Sequence, residues 1–179
     1  MNISWIVTPQ FQTDINIKDI GPVWGSDLTW RLFNTDNVIC FDYRRAADLI
    51  TRNFQEQCNL YLPERFYSDL NRPASVNLVG GGFATEVDQK EEIVAFHLVS
   101  LSSDIVLMGG IDFSSDYVNV DEYERHRANN FLNSIKTIIS LTPDIQWVVV
   151  DHLKEFDERF TELPNFTNDT AENIASLLI

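Results

Sequence analysis

The stretch Gln146-Trp147-Val148-Val149-Val150-Asp151-His152 decides the fold. An unbroken apolar run of this length is too short for a helix and lacks the alternation of a strand with one wet face. It reads as a strand covered on both sides, the signature of a parallel sheet between two helical layers. Two more runs have the same form: Val38-Ile39-Cys40-Phe41-Asp42 and Ile105-Val106-Leu107-Met108-Gly109-Gly110-Ile111-Asp112. All three end in aspartate, and each precedes a stretch of helical periodicity.

Outward from these runs, Ile3–Val7 and Val76–Val79 complete the expected strands. Helices are predicted over 27–33, with Ser26 as N-cap, and over 44–57, where Ala46, Ala47, Leu49, Ile50 and Phe54 share one face. Pro63 opens a short helical piece to Leu70. Asp88 and Glu91 form a capping-box-like start for a helix over 89–101. The longest helix is predicted from Asp121 to Leu141, with Ala128, Phe131, Leu132, Ile135, Ile138 and Ile139 in one stripe, and Pro143 stops it. Two helical pieces, near 153–160 and 169–178, close the chain. Strand and helix therefore alternate along residues 1–179. The expectation is a single α/β domain: a three-layer, Rossmann-like arrangement with a mostly parallel sheet of about five strands flanked by helices. Residues 9–25 are the one long connection, and such connections are often functional.

The chain has 179 residues, is 44% hydrophobic and includes twelve Phe and four Trp, enough to build a substantial core. Its net charge is −14, unevenly spread. Residues 84–125 hold ten acids and two bases, whereas six of the nine arginines (31, 44, 45, 52, 65 and 72) precede residue 84. Such a balance opposes direct nucleic-acid binding. It favours a small anion on the arginine-bearing side, or a basic protein partner on the acidic one. Cys40 and Cys58 make no disulfide framework, and Cys40 lies in an apolar run that suits inert packing. The first residues have no basic segment leading an apolar one, and no apolar run approaches the ~20 residues that span a bilayer. The expected location is cytoplasmic, without membrane association. The apolar stripe at 121–141 suits either a core or a homo-oligomer contact.

Ligands of open α/β sheets bind at the carboxyl ends of the strands. Asp42, Asp112 and Asp151 are expected there, as candidate catalytic groups and Mg²⁺ ligands, with His152 as an acid or base. The plain alternative for each aspartate is a helix cap or a turn. Gly80, Gly81 and Gly82 follow a strand, where bare backbone N–H groups can approach a phosphate. The segment Gly80-Gly81-Gly82-Phe83-Ala84-Thr85-Glu86 loosely resembles the Gly-Gly-x-Gly-Thr loop of the lysine-decarboxylase-like, nucleotide-binding Rossmannoid family. Gly81, Gly82 and Thr85 match it. Ala84 replaces a glycine and Glu86 falls too early for that family's glutamate, so no catalytic residue is carried over.

Trp24, in a Gly-flanked segment, is a candidate stacking residue, and the N–H groups from Ser26 onward are candidate phosphate ligands. Arg44 and Arg45, at a helix start, oppose the helix dipole and suggest an anion or a carboxylate nearby. The acids Asp116, Asp121, Glu122 and Glu124 suit a solvated helix start or a surface that mimics nucleic-acid charge. The expected function is binding of an anionic, nucleotide-like small molecule at the carboxyl edge, with Mg²⁺-assisted hydrolysis of a phosphoester or glycosidic bond as its enzymatic form. The alternative is a non-enzymatic acidic protein, such as a phage-type inhibitor, that blocks a basic partner.

Overall fold

The computed structural model describes residues 1–80, 90–115 and 121–177. Eight strands form one sheet: β1 Ile3–Val7, β2 Val23–Ser26, β3 Asn37–Ile39, β4 Asn59–Pro63, β5 Val76–Val79, β6 Ile105–Gly109, β7 Gln146–Val150 and β8 Phe166–Asp169. Its order is β5-β4-β3-β2-β1-β6-β7-β8, and every neighbouring pair is parallel. The chain starts in the middle, walks to one edge, then crosses back to the other side of β1. The sheet thus has its topological switch point between β1 and β6, in register from Ile3 opposite Ile105 to Val7 opposite Gly109.

The helices are α1 Asp27–Phe33, α2 Tyr43–Thr51, α3 Glu64–Asp69, α4 Lys90–Ser100, α5 Glu122–Ser140, α6 Glu158–Thr161 and α7 Ala171–Leu177. Alternate strand residues feed opposite faces. Ile6, Trp24, Ile39, Met108 and Trp147 meet Phe96 of α4, Phe131 and Leu132 of α5 and Phe160 of α6. On the other face Trp5, Val7 and Leu107 pack with Ile174 of α7, while Val38, Leu60 and Leu62 pack with Ala46 of α2 and Phe66 of α3. The Trp147 ring is stacked on Phe96 at 5.3 Å, and its Nε1 donates to Thr142 Oγ1 at 3.1 Å. Helices therefore cover both sheet faces, as the continuous apolar run at 146–150 requires, and the architecture is the Rossmann-like three-layer one.

The sheet exceeds the sequence expectation by three strands, β2, β4 and β8. β2 begins inside the supposed long connection 9–25 and ends one residue past it, and that segment also holds a short 3₁₀ turn at Ile17–Asp19. The strand expected over 38–41 is β3 at Asn37–Ile39, and the one over 105–111 ends at Gly109. The helix expected over 44–57 stops at Thr51, where Asn53 takes a left-handed conformation (φ 54°). Asp88 lies outside the described residues. Among those described, no helix is long and apolar enough to cross a membrane.

A cleft at the topological switch point

A cleft of about 620 Å³ opens where β1 and β6 part. Thr8, Pro9 and Gln10 enter it from the end of β1, and Gly110, Ile111 and Asp112 from the end of β6. Ser26 and Leu28 come from the β2–α1 corner. Glu92 of α4 and Glu124, Arg127, Ala128 and Phe131 of α5 form the opposite wall. Apolar surfaces thus alternate with hydroxyls, three carboxyls and one guanidinium. This is the position and mixed lining of small-molecule sites in open α/β sheets.

Ser26 caps α1 as expected, its Oγ accepting from the Thr29 N–H at 3.4 Å. Thr8 Oγ1 donates to the Gly110 carbonyl at 2.8 Å, tying the two central strands together below the cleft. Asp112 Oδ1 accepts from the N–H and hydroxyl of Ser114, and Oδ2 pairs with Lys154 at 2.6 Å. Burial pushes its carboxyl up, but the bonds from Lys154 and Ser114 outweigh this and hold it below the ordinary carboxylate value. Glu92 behaves in the opposite way. Burial, reinforced by the neighbouring Glu91, carries it to about 7, against the weaker pull of its own backbone N–H and Arg45. One cleft therefore holds one carboxyl that keeps its proton near neutrality and one that does not. Glu92 carries no signal in the sequence, where it stands in the first turn of an apolar helix.

Several candidate residues lie elsewhere. Asp42, Asp112 and Asp151 do not share a metal. Asp42 follows β3, three strand spacings or about 14 Å from β6, too far for ligands of one Mg²⁺ whose bonds are ~2.1 Å. Asp42 caps α2 through the Arg45 N–H at 2.9 Å, and that bond holds its carboxyl below the usual range. Asp151 accepts from the Ala171 N–H at 3.1 Å. Among the described residues no group of His, Cys, Asp and Glu is gathered as metal ligands would be. Removing the Asp42 cap, by Asp42→Ala, should lower the melting temperature by a few degrees, equally with and without Mg²⁺, as differential scanning calorimetry would show.

His152 bonds the backbone through both ring nitrogens, and its Nε2 also lies 3.7 Å from Asp112 Oδ1, which brings these two candidates together. The His152 Nε2 accepts from the Phe113 N–H at 3.2 Å, so Nδ1 carries the proton and donates to the Lys154 carbonyl at 3.0 Å. Trp24 is buried in β2 against Tyr61, ring centroids 5.2 Å apart, because the Gly-flanked segment is a strand and not a loop; it offers no stacking face. Gly80 follows β5 at the sheet edge, four strand spacings or about 19 Å from β1, and so stands away from Ser26 and the cleft. Gly81 and Gly82, with the resembling loop, lie outside the described residues, as does Asp116. Arg44 is exposed on α2.

Arg45 turns inward to carboxylates, one of the two partners its position suggested, but these are Asp27 (3.1 Å) and Glu91 (3.6 Å) rather than its helix neighbours Asp42 and Asp48. Burial pushes the Asp27 carboxyl up and Arg45 offsets this only in part. Burial likewise pushes the Cys40 thiol up to about 12, which makes it inert packing.

The fold and cleft define the chain as a doubly wound α/β protein with a switch-point pocket. No protein-family model, curated protein or solved structure matches it.

Proposed function

We propose that the protein binds a nucleotide-like small molecule in the switch-point cleft. The observation that carries this reading is the lining itself: apolar plates from Leu28, Ile111 and Phe131 suit a base, hydroxyls and carboxyls suit sugar hydroxyls, and Arg127 suits a phosphate. The Arg127 guanidinium lies over the Tyr123 ring at 5.3 Å, at the α5 side of the cleft. Of the two hydrolyses the sequence suggested, the cleft favours the glycosidic one. Two carboxyls whose surroundings drive their proton affinities apart are the usual basis for an acid and an ionised partner at a glycosidic bond. Glu92 is the acid and Asp112 the ionised partner in this scheme.

A thermal-shift screen of nucleoside mono-, di- and triphosphates, with and without Mg²⁺, tests the reading. One nucleotide should stabilise the fold clearly, since a ligand at a hundred times its Kd adds about 2.7 kcal/mol. Chromatography of the same mixtures would detect released base. No response to any nucleotide, together with salt-sensitive capture of a basic protein, would instead favour the acidic-inhibitor class.

A further inference from the structure

The cleft is lined by Ser26 on one side and Glu92 on another, and one side chain outside it touches the chain neighbours of both. Ser26, at the β2–α1 corner, is followed by Asp27. Glu92, in the first turn of α4, is preceded by Glu91. Arg45 of α2 places Nη1 3.1 Å from Asp27 Oδ1 and Nη2 3.6 Å from Glu91 Oε1. The same Glu91 oxygen accepts from the Phe41 N–H at 3.1 Å, which roots the first turn of α4 to the end of β3. Asp27 is 4% exposed, so its charge has little water to turn to, and Arg45 answers it by charge from an angle that makes no proper hydrogen bond.

We propose that Arg45 is a positioning residue for the cleft: by bracing Asp27 and Glu91 it fixes the spacing between Ser26 and Glu92. This rests on the reading of the cleft as the ligand site. The brace needs a fork. A planar guanidinium reaches two carboxylates at once in fixed directions, whereas a lysine ammonium offers one point charge on a flexible stem. Arg45 was expected beside an anion or a carboxylate; in its observed place, against two carboxylates, it acts on the ligand only through the two walls.

The test is isothermal titration of the full chain with AMP, GMP, CMP and UMP, for the wild type and four variants. Arg45→Met should weaken binding by about tenfold to a hundredfold, the scale on which small misplacements of binding groups are felt. Arg45→Lys should restore part of the loss. Arg52→Met removes an exposed pair with Asp48 on the same helix and should leave affinity unchanged. Phe54→Leu weakens the packing beside α2 without touching the brace, and should lower stability but not affinity. If Arg45→Met does not fold, Glu91→Gln, which removes the charge on one wall, should show the same weakening. A wild type that binds and an Arg45→Met variant that binds equally well would overturn the brace and leave the ligand site standing. A parallel loss in Phe54→Leu would also overturn it, by reducing the effect to stability. A wild type that binds none of the four and responds to no nucleotide in the thermal-shift screen would overturn both readings.

Discussion

Replacing Glu92 by glutamine is expected to make the fold more stable above pH 7 and to change little below pH 4. The folded carboxyl titrates at about 7 against an ordinary value of 4.5, chiefly because burial penalises its charge. Below pH 4.5 both folded and unfolded chains hold the proton, and the group costs nothing. Between 4.5 and 7 the unfolded chain releases it while the fold keeps it, so each rise in pH favours unfolding. Above about 7 the fold must carry a partly buried anion and the cost levels off. Its size at pH 8 is at most about 3 kcal/mol. Glutamine keeps the shape and hydrogen-bonding capacity of the protonated acid and removes the titration. Asp27 shifts in the same direction, while Asp42, Asp112 and Asp157 shift downward and act at lower pH. The difference between variant and wild type isolates Glu92 from all four. Urea denaturation at pH 4, 6 and 8 reads it directly. A Glu92→Gln protein less stable than wild type at pH 8 would mean that the carboxylate is stabilised by partners that outweigh its burial. A residue that weakens the fold it sits in is most simply explained by a task in the cleft, and the same variant should lose the glycosidic chemistry proposed above, by roughly the 10²–10⁴-fold associated with a general acid.

The fold was legible where strands are covered on both faces. β1, β3, β6 and β7 are mostly apolar and mostly buried, interrupted only by Ser4 in β1 and by Asn37 and Gln146 at the starts of β3 and β7, and no helical period competes with that pattern. The three strands that escaped notice each have a physical disguise. β2 is four residues long and contains Gly25 just after Gly21-Pro22, punctuation that ordinarily marks a loop. β4 is Asn-Leu-Tyr-Leu-Pro, whose Asn and Pro ends are turn residues and leave only three of strand character. β8 is Phe166-Thr167-Asn168-Asp169, an edge strand whose polar residues face water. Missing β2 also misplaced Trp24, since a tryptophan in a loop is a candidate ligand contact and the same tryptophan in a central strand is core.

The site was legible as an edge but not as a constellation. Carboxyl ends of strands could be read one by one. Which of them are neighbours depends on strand order, and no local pattern encodes that. Asp42 and Asp112 have nearly the same sequence setting, yet two strands lie between β3 and β6. Glu92 and Arg127 looked like the polar faces of two helices. They become cleft residues only because α4 carries the crossover and α5 follows β6 across the switch point.

The glycines make the same point in a form that can be measured. The sequence draws attention to the triplet beginning at Gly80, but a glycine that the backbone conformation itself requires is Gly110. It has φ +78°, a conformation that an L side chain adopts at a cost of about 1–2 kcal/mol. A Cβ there would stand 2.5 Å from both the Phe11 backbone nitrogen and Thr8 Oγ1. Neither atom can withdraw cheaply, because the Phe11 N–H is bonded to the Thr8 carbonyl and the Thr8 hydroxyl to the Gly110 carbonyl. Overpacking of that kind adds about 1–3 kcal/mol. Gly110→Ala should therefore cost about 2–5 kcal/mol in urea denaturation, and should also spoil nucleotide binding, since the atoms displaced are those that close the cleft from below. Among the described residues a Cβ at Gly80 would meet no atom within 4 Å, and its φ is not left-handed, so Gly80→Ala should stay within about 0.5 kcal/mol of wild type. Equal losses in the two variants would mean that the β1–β6 junction is looser than its hydrogen bonds imply, and a cleft with so loose a floor could not hold a ligand in one geometry.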